Sequence, residues 1–371
     1  QNEDETWDPI WQAKTQIHDW GWAAELKIPF TQLRFNKNSE SVWGFEVARE
    51  IFRKEEMSFW HPIPRNAPGI IHAIGELDGL QEIEPRKQLD LTPYGVAALE
   101  TYEAEEGNPY LDGRDPKFNI GLDGKIGVTN NMTLDFTINP DFGQVEADPS
   151  EVNLTAFETY FEEKRPFFIE GKNITSFNVG LGDGDVGNDN LFYSRRIGRR
   201  PQGDPSLDEG EYAKVPKFTR ILGAAKLTGK TEKGLSVGII EALTADTKAI
   251  IDSNGEEHKE TIEPLTNYAL ARVQKDFNEG NTIIGGAITS AIRKLDGTGM
   301  DYLHNNATTG GVDVTQYFKD RNYMLNAALY MSNVQGSTEA ITRTQQSSAR
   351  YFQRPDADYV ELDETRTCLL Y

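Results

Sequence analysis

From Arg86 onward, apolar and polar side chains alternate with a period of two, in stretches separated by short polar runs. The pattern predicts strands over 88–101, 117–128, 131–139, 216–229, 234–246, 267–276, 281–293, 309–318 and 322–333. Asn130-Asn131 and Glu279-Gly280 fall where hairpin turns belong, because Asn and Gly accept positive φ at little cost. Consecutive antiparallel hairpins follow. In the last of these strands Tyr323, Leu325, Ala327, Leu329 and Met331 make one apolar face, and Asn322, Met324, Asn326, Ala328 and Tyr330 make a mixed one. Lipid outside and water or a plug inside accounts for that division. A large soluble antiparallel sheet is the alternative. Small residues recur in the same strands (Gly121, Gly124, Gly223, Ala224, Ala225, Gly285, Gly286, Ala287), which predicts bends in a curved wall or the close approach of an interior segment.

Before Arg86 the pattern differs. Tryptophan occurs at positions 7, 11, 20, 22, 43 and 60 and nowhere later, a compositional step that sets a boundary between residues 1–85 and 86–371. Segments 22–30 and 42–51 read as strands of a β-sandwich, with Trp22 and Trp43 expected in its core. So few strands cannot make a whole sandwich, and the expectation is that its other strands precede Gln1. Residues 139–214 interrupt the second region without strand pattern, and a stretch of that length is functional or separately folded. Within it, Pro149 to Phe161 predicts a helix capped by Ser150, with Leu154, Phe157 and Phe161 on one face.

Charge and composition narrow the function classes. With 38 basic and 59 acidic residues the formal charge is −21, which excludes a nucleic-acid partner. No apolar run approaches the roughly 18 residues of a membrane-spanning helix, a test that leaves a β-barrel untouched. The single cysteine, Cys368, permits no intrachain disulfide, and the five histidines stand apart.

Candidate chemistry is sparse. Sugar recognition needs exposed rings with planar polar partners, and Trp11, Trp20 and Trp60, beside turns and polar residues, are the candidate carbohydrate-binding side chains; core packing is the competing role. Asp183, Asp185 and Asp189, in a glycine-rich loop, are candidate calcium ligands by donor chemistry, although Gly187 and Ser194 break the EF-hand spacing and a plain loop competes. Arg195, Arg196, Arg199 and Arg200 are candidates for ion pairs between the insertion and the wall, with Asp123, Asp135 and Glu241 as partners by strand position; an anion or acidic-glycan site is the sharper alternative. Acidic residues at 141, 146, 148, 158, 162, 163 and 170 are dense enough to pair by chance, so they argue for no hydrolase on their own. No nucleotide, nucleophile-elbow or zincin motif is present, and no cofactor beyond calcium is implied.

Four ordered blocks carry a family resemblance: Asn139-Pro140-Asp141-Phe142-Gly143-Gln144-Val145-Glu146-Ala147-Asp148-Pro149, then Asn153 to Thr159, then Glu163-Lys164-Arg165-Pro166-Phe167-Phe168-Ile169-Glu170-Gly171, then Leu191 to Arg199. With Arg350 to Asp356 downstream and Trp7 to Thr15, Gly21 to Phe30, Leu33-Arg34-Phe35 and Trp43-Gly44 upstream, the chain resembles the DUF5916 family. That resemblance implies a Bacteroidota outer-membrane protein in which a carbohydrate-binding family-9-like β-sandwich precedes a β-barrel. The expected fold is therefore all-β: the C-terminal part of a sandwich in 1–85, then in 86–371 an antiparallel transmembrane β-barrel, incomplete in this fragment and not closing within it, with a partly helical plug-like insertion at 139–214. The expected function is binding or passing a glycan or other envelope substrate, or scaffolding an envelope complex, at the bacterial outer membrane. Outer-membrane lipid, a glycan and envelope proteins are the expected partners, with a soluble glycan-active hydrolase or its binding module as the alternative.

Overall fold

The computed structural model describes residues 9–33, 35, 42–64, 73–80, 83–84, 87–141, 159–180, 190–356 and 358–370. The chain divides into two compact units, Gln1–Gln88 with Gly127–Asn131, and Leu89–Ile126 with Met132–Tyr371.

The first unit contains β1 (Gln12–His18), β2 (Gly21–Lys27), β3 (Trp43–Phe45), β4 (Ala48–Ile51), β5 (Glu56–Phe59) and β6 (Gly75–Leu77). They pair antiparallel as β1–β2, β3–β6 and β4–β5. Gly21, at φ +151°, follows the turn after β1, so His18 faces Gly21 and Gln12 faces Lys27. Trp43 packs at 5.0 Å from Phe35 and 6.0 Å from Phe30, centroid to centroid. Trp22 departs from its expected core position and is 62% exposed, because within the described residues the β1–β2 hairpin lays no second layer over it.

Along the second unit run β7 (Leu89–Thr101), β8 (Arg114–Thr129) and β9 (Met132–Ile138), then α1 (Pro166–Ile169), α2 (Lys172–Thr175) and β10 (Tyr212–Lys214) of the insertion. After it come β11 (Ile221–Lys230), β12 (Leu235–Thr244), β13 (Thr247–Ser253), β14 (Glu256–Glu263), β15 (Thr266–Phe277), β16 (Thr282–Arg293), β17 (His304–Phe318), β18 (Tyr323–Gly336), α3 (Thr338–Gln346) and β19 (Cys368–Leu370). Ten of these form one antiparallel sheet in the order β19-β18-β17-β16-β15-β12-β11-β9-β8-β7. Every strand predicted from position 88 onward lies in it. β7 and β19 are its outer strands, and the described residues do not close it into a barrel. The turn between β15 and β16 uses positive φ at Asn278, Glu279 and Gly280 (51°, 58° and 80°), where the Glu279-Gly280 pair predicted a hairpin. β10, β13 and β14 make a separate three-stranded sheet that alternation does not announce, since Glu256-Glu257-His258-Lys259-Glu260 has no apolar face.

The register divides the large sheet into two unlike faces. On one lie Thr133, Asp135 and Thr137 of β9, Lys226 and Thr228 of β11, Tyr268, Leu270 and Arg272 of β15, and Thr289 of β16, all buried. The described part of the insertion lies against this face: Phe168 and Ile197 join Ile221, Ala224, Ile240, Ala242, Tyr268 and Leu270 in one core, with Phe167 and Phe192 packed on it. The opposite face carries Phe118, Ile120, Ile239, Ile284, Ile288, Ile292, Val312, Leu325, Leu329 and Met331, all exposed. Leu325 and Leu329 stand on this open face, opposite Gln316 and Val312, while Asn326, opposite Thr315, stands on the insertion face. The helix predicted over 149–161 lies outside the described residues up to position 158, and Thr159 to Phe161 are not helical.

Docking of α2 depends on a missing side chain. A Cβ at Gly238 would stand 2.8 Å from Thr175 Cγ2 and 3.2 Å from Ile174 Cγ2. Gly238→Val is expected to cost about 1–3 kcal/mol through overpacking, and to expose segment 171–177 to protease. Gly286→Ala, whose Cβ would meet nothing nearer than 3.5 Å, is expected to leave both thermal unfolding and the cleavage pattern unchanged.

Candidate functional site

The insertion is fastened to itself by one buried ion pair. Glu163 and Arg165 are each 7% exposed, and the guanidinium meets the carboxylate through Nε to Oε1 at 2.8 Å and Nη2 to Oε2 at 2.7 Å. The remaining donors of Arg165 reach the carbonyls of Ile197 and Ser194, both at 2.7 Å, and the group lies 4.4 Å above the Phe168 ring. Ser194 Oγ also donates to Glu163 Oε2, at 2.5 Å. Such two-pronged, fully bonded geometry is what makes a charge pair tolerable away from water. Burial alone pushes the Glu163 carboxyl up, but the bonds from Arg165 and Ser194 outweigh it and hold the group below the ordinary carboxylate range.

A second cluster fastens the insertion to the wall. Lys226 faces Asp135 across the β11–β9 pair. Its Nζ lies 3.8 Å from that carboxylate and donates to the carbonyls of Phe167 at 2.6 Å and Glu170 at 2.8 Å, at the C-terminal end of α1. Lys125 of β8 donates to both oxygens of Glu170, each at 2.8 Å. Two lysines thus meet two acids, and neither lysine was singled out by the sequence pattern. A lone Lys226 within Ile221-Leu222-Gly223-Ala224-Ala225-Lys226-Leu227 was the available signal, since a charge among small apolar strand residues needs a partner.

Beside these fasteners a cavity of about 1120 Å³ opens between the wall and the insertion, lined among others by Tyr94, Asn119, Asp123, Asp141, Glu162 and Phe167. Its rim is ordered by Asn139, at φ 51°, where the chain leaves β9. Tyr94 Oη receives the Asp141 N–H at 3.1 Å, Asn119 Nδ2 donates to Asp141 Oδ2 at 3.1 Å, and Arg220 Nε donates to Asn139 Oδ1 at 2.6 Å. Asp123 and Glu162 carry no hydrogen bond or ion pair among the described residues. The cavity therefore offers aromatic faces, amides and carboxylates together, the set that a polyhydroxylated ligand needs.

The predicted site residues disperse. Trp11, Trp20 and Trp60 are 47%, 76% and 60% exposed. Trp11 precedes β1 and Trp20 sits in the turn after it, so a strand of 7 residues separates them. At about 3.3 Å per residue that is too far for one sugar ring to stack on both. Trp20 stacks on His18 at 4.8 Å, and Trp60 meets Phe45 edge-on at 5.8 Å. Asp183, Asp185 and Asp189 lie outside the described residues. Of the arginine run, Arg200 pairs at 3.6 Å with Asp204 on the surface, and Arg196 lies 5.9 Å over the Tyr193 ring. Glu241, offered as an acidic partner for this run, stands on the open face, where it accepts from Asn267; strand alternation turns it away from the insertion. Asp135 lies instead beside Lys226 and Lys125. Arg165, outside the run, joins two insertion segments.

Because Glu163 titrates below its unfolded value, the stability it contributes is complete above the ordinary carboxylate pKa and is lost as pH falls through the depressed one. Hydrogen exchange across 163–177 and 190–197 is therefore expected to accelerate below about pH 4, relative to strands β15 and β16. Arg165→Ala should accelerate it already at neutral pH, with a loss of about 3–5 kcal/mol.

No curated protein and no solved structure matches this chain. The family model for DUF5916, a domain of unknown function, matches residues 85–356, which takes in the sheet through β18, the insertion and α3, and the chain belongs to that family.

Proposed function

We propose that this chain is a bacterial outer-membrane protein: its ten-stranded sheet is barrel wall, the insertion is the plug, and the cavity between them binds or passes a glycan or other envelope substrate. One observation carries the reading, the inversion of the two sheet faces. Charged side chains are buried on the insertion face, Lys226 at 1%, Arg272 at 5% and Asp135 at 6%, while apolar ones are exposed on the other, Phe118 at 76%, Leu329 at 69% and Ile120 at 63%. A soluble sheet buries its apolar face and wets its charged one; a barrel in lipid does the reverse. Strand length agrees: β7, β8, β11, β12, β15, β16, β17 and β18 each reach at least the 10 residues of the two shortest, β11 and β12, enough for a tilted crossing of the hydrocarbon layer.

Polar lining and aromatic faces in the cavity favour a hydroxyl-rich ligand, and the exposed Trp20 and Trp60 of the first unit suit the carbohydrate-binding family-9-like sandwich that the family resemblance implies. With the insertion seated on the wall, passage requires something to move it, whereas scaffolding an envelope complex does not.

The face assignment is tested by neighbouring substitutions. Leu325→Arg should weaken assembly into lipid vesicles by about 2–4 kcal/mol if it sits near mid-bilayer, whereas Asn326→Arg, facing the interior, should assemble like the parent chain. Refolding yield and protease protection in vesicles measure both; equal effects would overturn the reading.

A further inference from the structure

Consecutive strands of the large sheet run antiparallel, so the connections between them alternate between its two ends. Those at one end are 130–131, 231–234, 278–281 and 319–322, none longer than four residues. Those at the other end are 102–113, 139–220, 245–265, 294–303 and 337–367. The long connections are built structures, since β10, β13, β14 and all three helices lie within them. Tyr110 of the first donates to Glu257 of β14 at 3.0 Å, and Lys214 of β10 pairs at 3.2 Å with Asp115, near the start of β8. In the last, Gln345 of α3 is wholly buried and bonds the Asp363 backbone through both ends of its amide. Its Oε1 accepts the Asp363 N–H at 3.0 Å, and its Nε2 donates to the carbonyl at 2.8 Å.

The two ends also differ in chemistry. Beside the short turns Phe277, Phe318 and Tyr323 are exposed on the open face, at the level where a barrel carries an aromatic girdle, and the chain reverses within a few residues of them. At the other end β14 exposes Glu256, Glu257, His258 and Lys259 in a sheet of its own, a surface suited to water alone. The cavity belongs to this second end. Thr137 is the last residue but one of β9, and Asp141, Glu162 and Phe167 stand in the 139–220 connection. Nearer the short turns the insertion occupies the wall. Glu170 meets Lys125, Gly171 lies against Thr228 two residues before the end of β11, and α2 packs over Gly238 in the half of β12 nearer those turns.

We propose that the end with the long connections faces the cell exterior and the short turns face the periplasm, so that the cavity takes its ligand from outside the cell. Single-chain barrels of the bacterial outer membrane keep their short turns on the periplasmic side and their longer loops on the outer one. The assignment rests on the membrane reading proposed for this sheet and adds a direction to it: the substrate is one that the surroundings supply.

Labelling of introduced cysteines on intact cells that produce the full chain tests it, with a polymer-linked maleimide too large to pass porins. Cys368 is exposed and is first replaced by Ser, so that each variant carries one thiol. Glu256→Cys, at the tip of the β13–β14 hairpin, should react on intact cells. Lys233→Cys, in the β11–β12 turn, should react only after the outer membrane is opened. Asp296→Cys and Asn130→Cys repeat the comparison at a second pair of exposed positions, which carries the test if either variant of the first pair does not fold. Reaction of the turn positions on intact cells, or of the loop positions only after opening, would overturn the orientation and leave the membrane reading standing. A chain that fractionates with the soluble proteins would instead overturn the membrane reading, and the orientation with it.

Discussion

A lysine buried in a β-sheet must find partners, and Lys226, 1% exposed at the middle of β11, finds most of them in the insertion. Asp135 alone, at 3.8 Å, does not complete its shell; the Phe167 and Glu170 carbonyls do. Desolvating an ammonium costs several kcal/mol unless its donors are met, so the wall and the end of α1 need each other. The insertion is in turn held in shape by Arg165, which binds Glu163 on one side and the 194–197 carbonyls on the other. The rest follows from these two charges: with Lys226 seated, Phe167 and Phe168 come down on the sheet, and Ile197 closes the core beside Tyr268 and Leu270.

Once polar and charged groups occupy the covered face, strict alternation forces the apolar partners of every strand onto the other. That explains why the open face is apolar across successive strands, and it constrains the edges too. A sheet with this face in hydrocarbon cannot leave the N–H and C=O groups of an outer strand without partners, since lipid supplies none. β7, with 13 residues, is such an outer strand among the described residues. The membrane reading therefore demands strand pairing at that edge, whereas a soluble reading would demand a cover over Phe118, Ile288 and Leu329.

Strands were the legible part of the sequence because their signal is local. Alternation in Tyr323 to Met331 assigned the faces that the β17–β18 register reproduces, and Glu279-Gly280 marked its turn by backbone chemistry alone. Contacts over long separation were not legible. Arg165 meets Ile197 across 32 positions and Lys226 meets Phe167 across 59, and no local pattern announces either. The charge-dense β14 escaped notice because its partner β13, and not an apolar face of its own, sets its conformation. Clustering of Arg195 to Arg200 was visible, but their likeness in sequence concealed unlike fates: Arg200 pairs at the surface, while Arg199 keeps a buried Nε without a partner among the described residues.

The blocks that carry the family resemblance are chiefly fasteners. Glu163 to Gly171 and Leu191 to Arg199 meet through Arg165 and Ser194, and Asn139 to Asp141 organise the cavity rim. A side chain whose bonding capacity is spent on the protein has little left for a ligand, so membership in the family speaks first to how the insertion is seated. Among the described residues, groups with capacity to spare are elsewhere: Asp123 and Glu162 line the cavity without a hydrogen bond or ion pair. The motifs therefore hold the covered surface, and the groups left with bonding capacity lie beside them rather than within them.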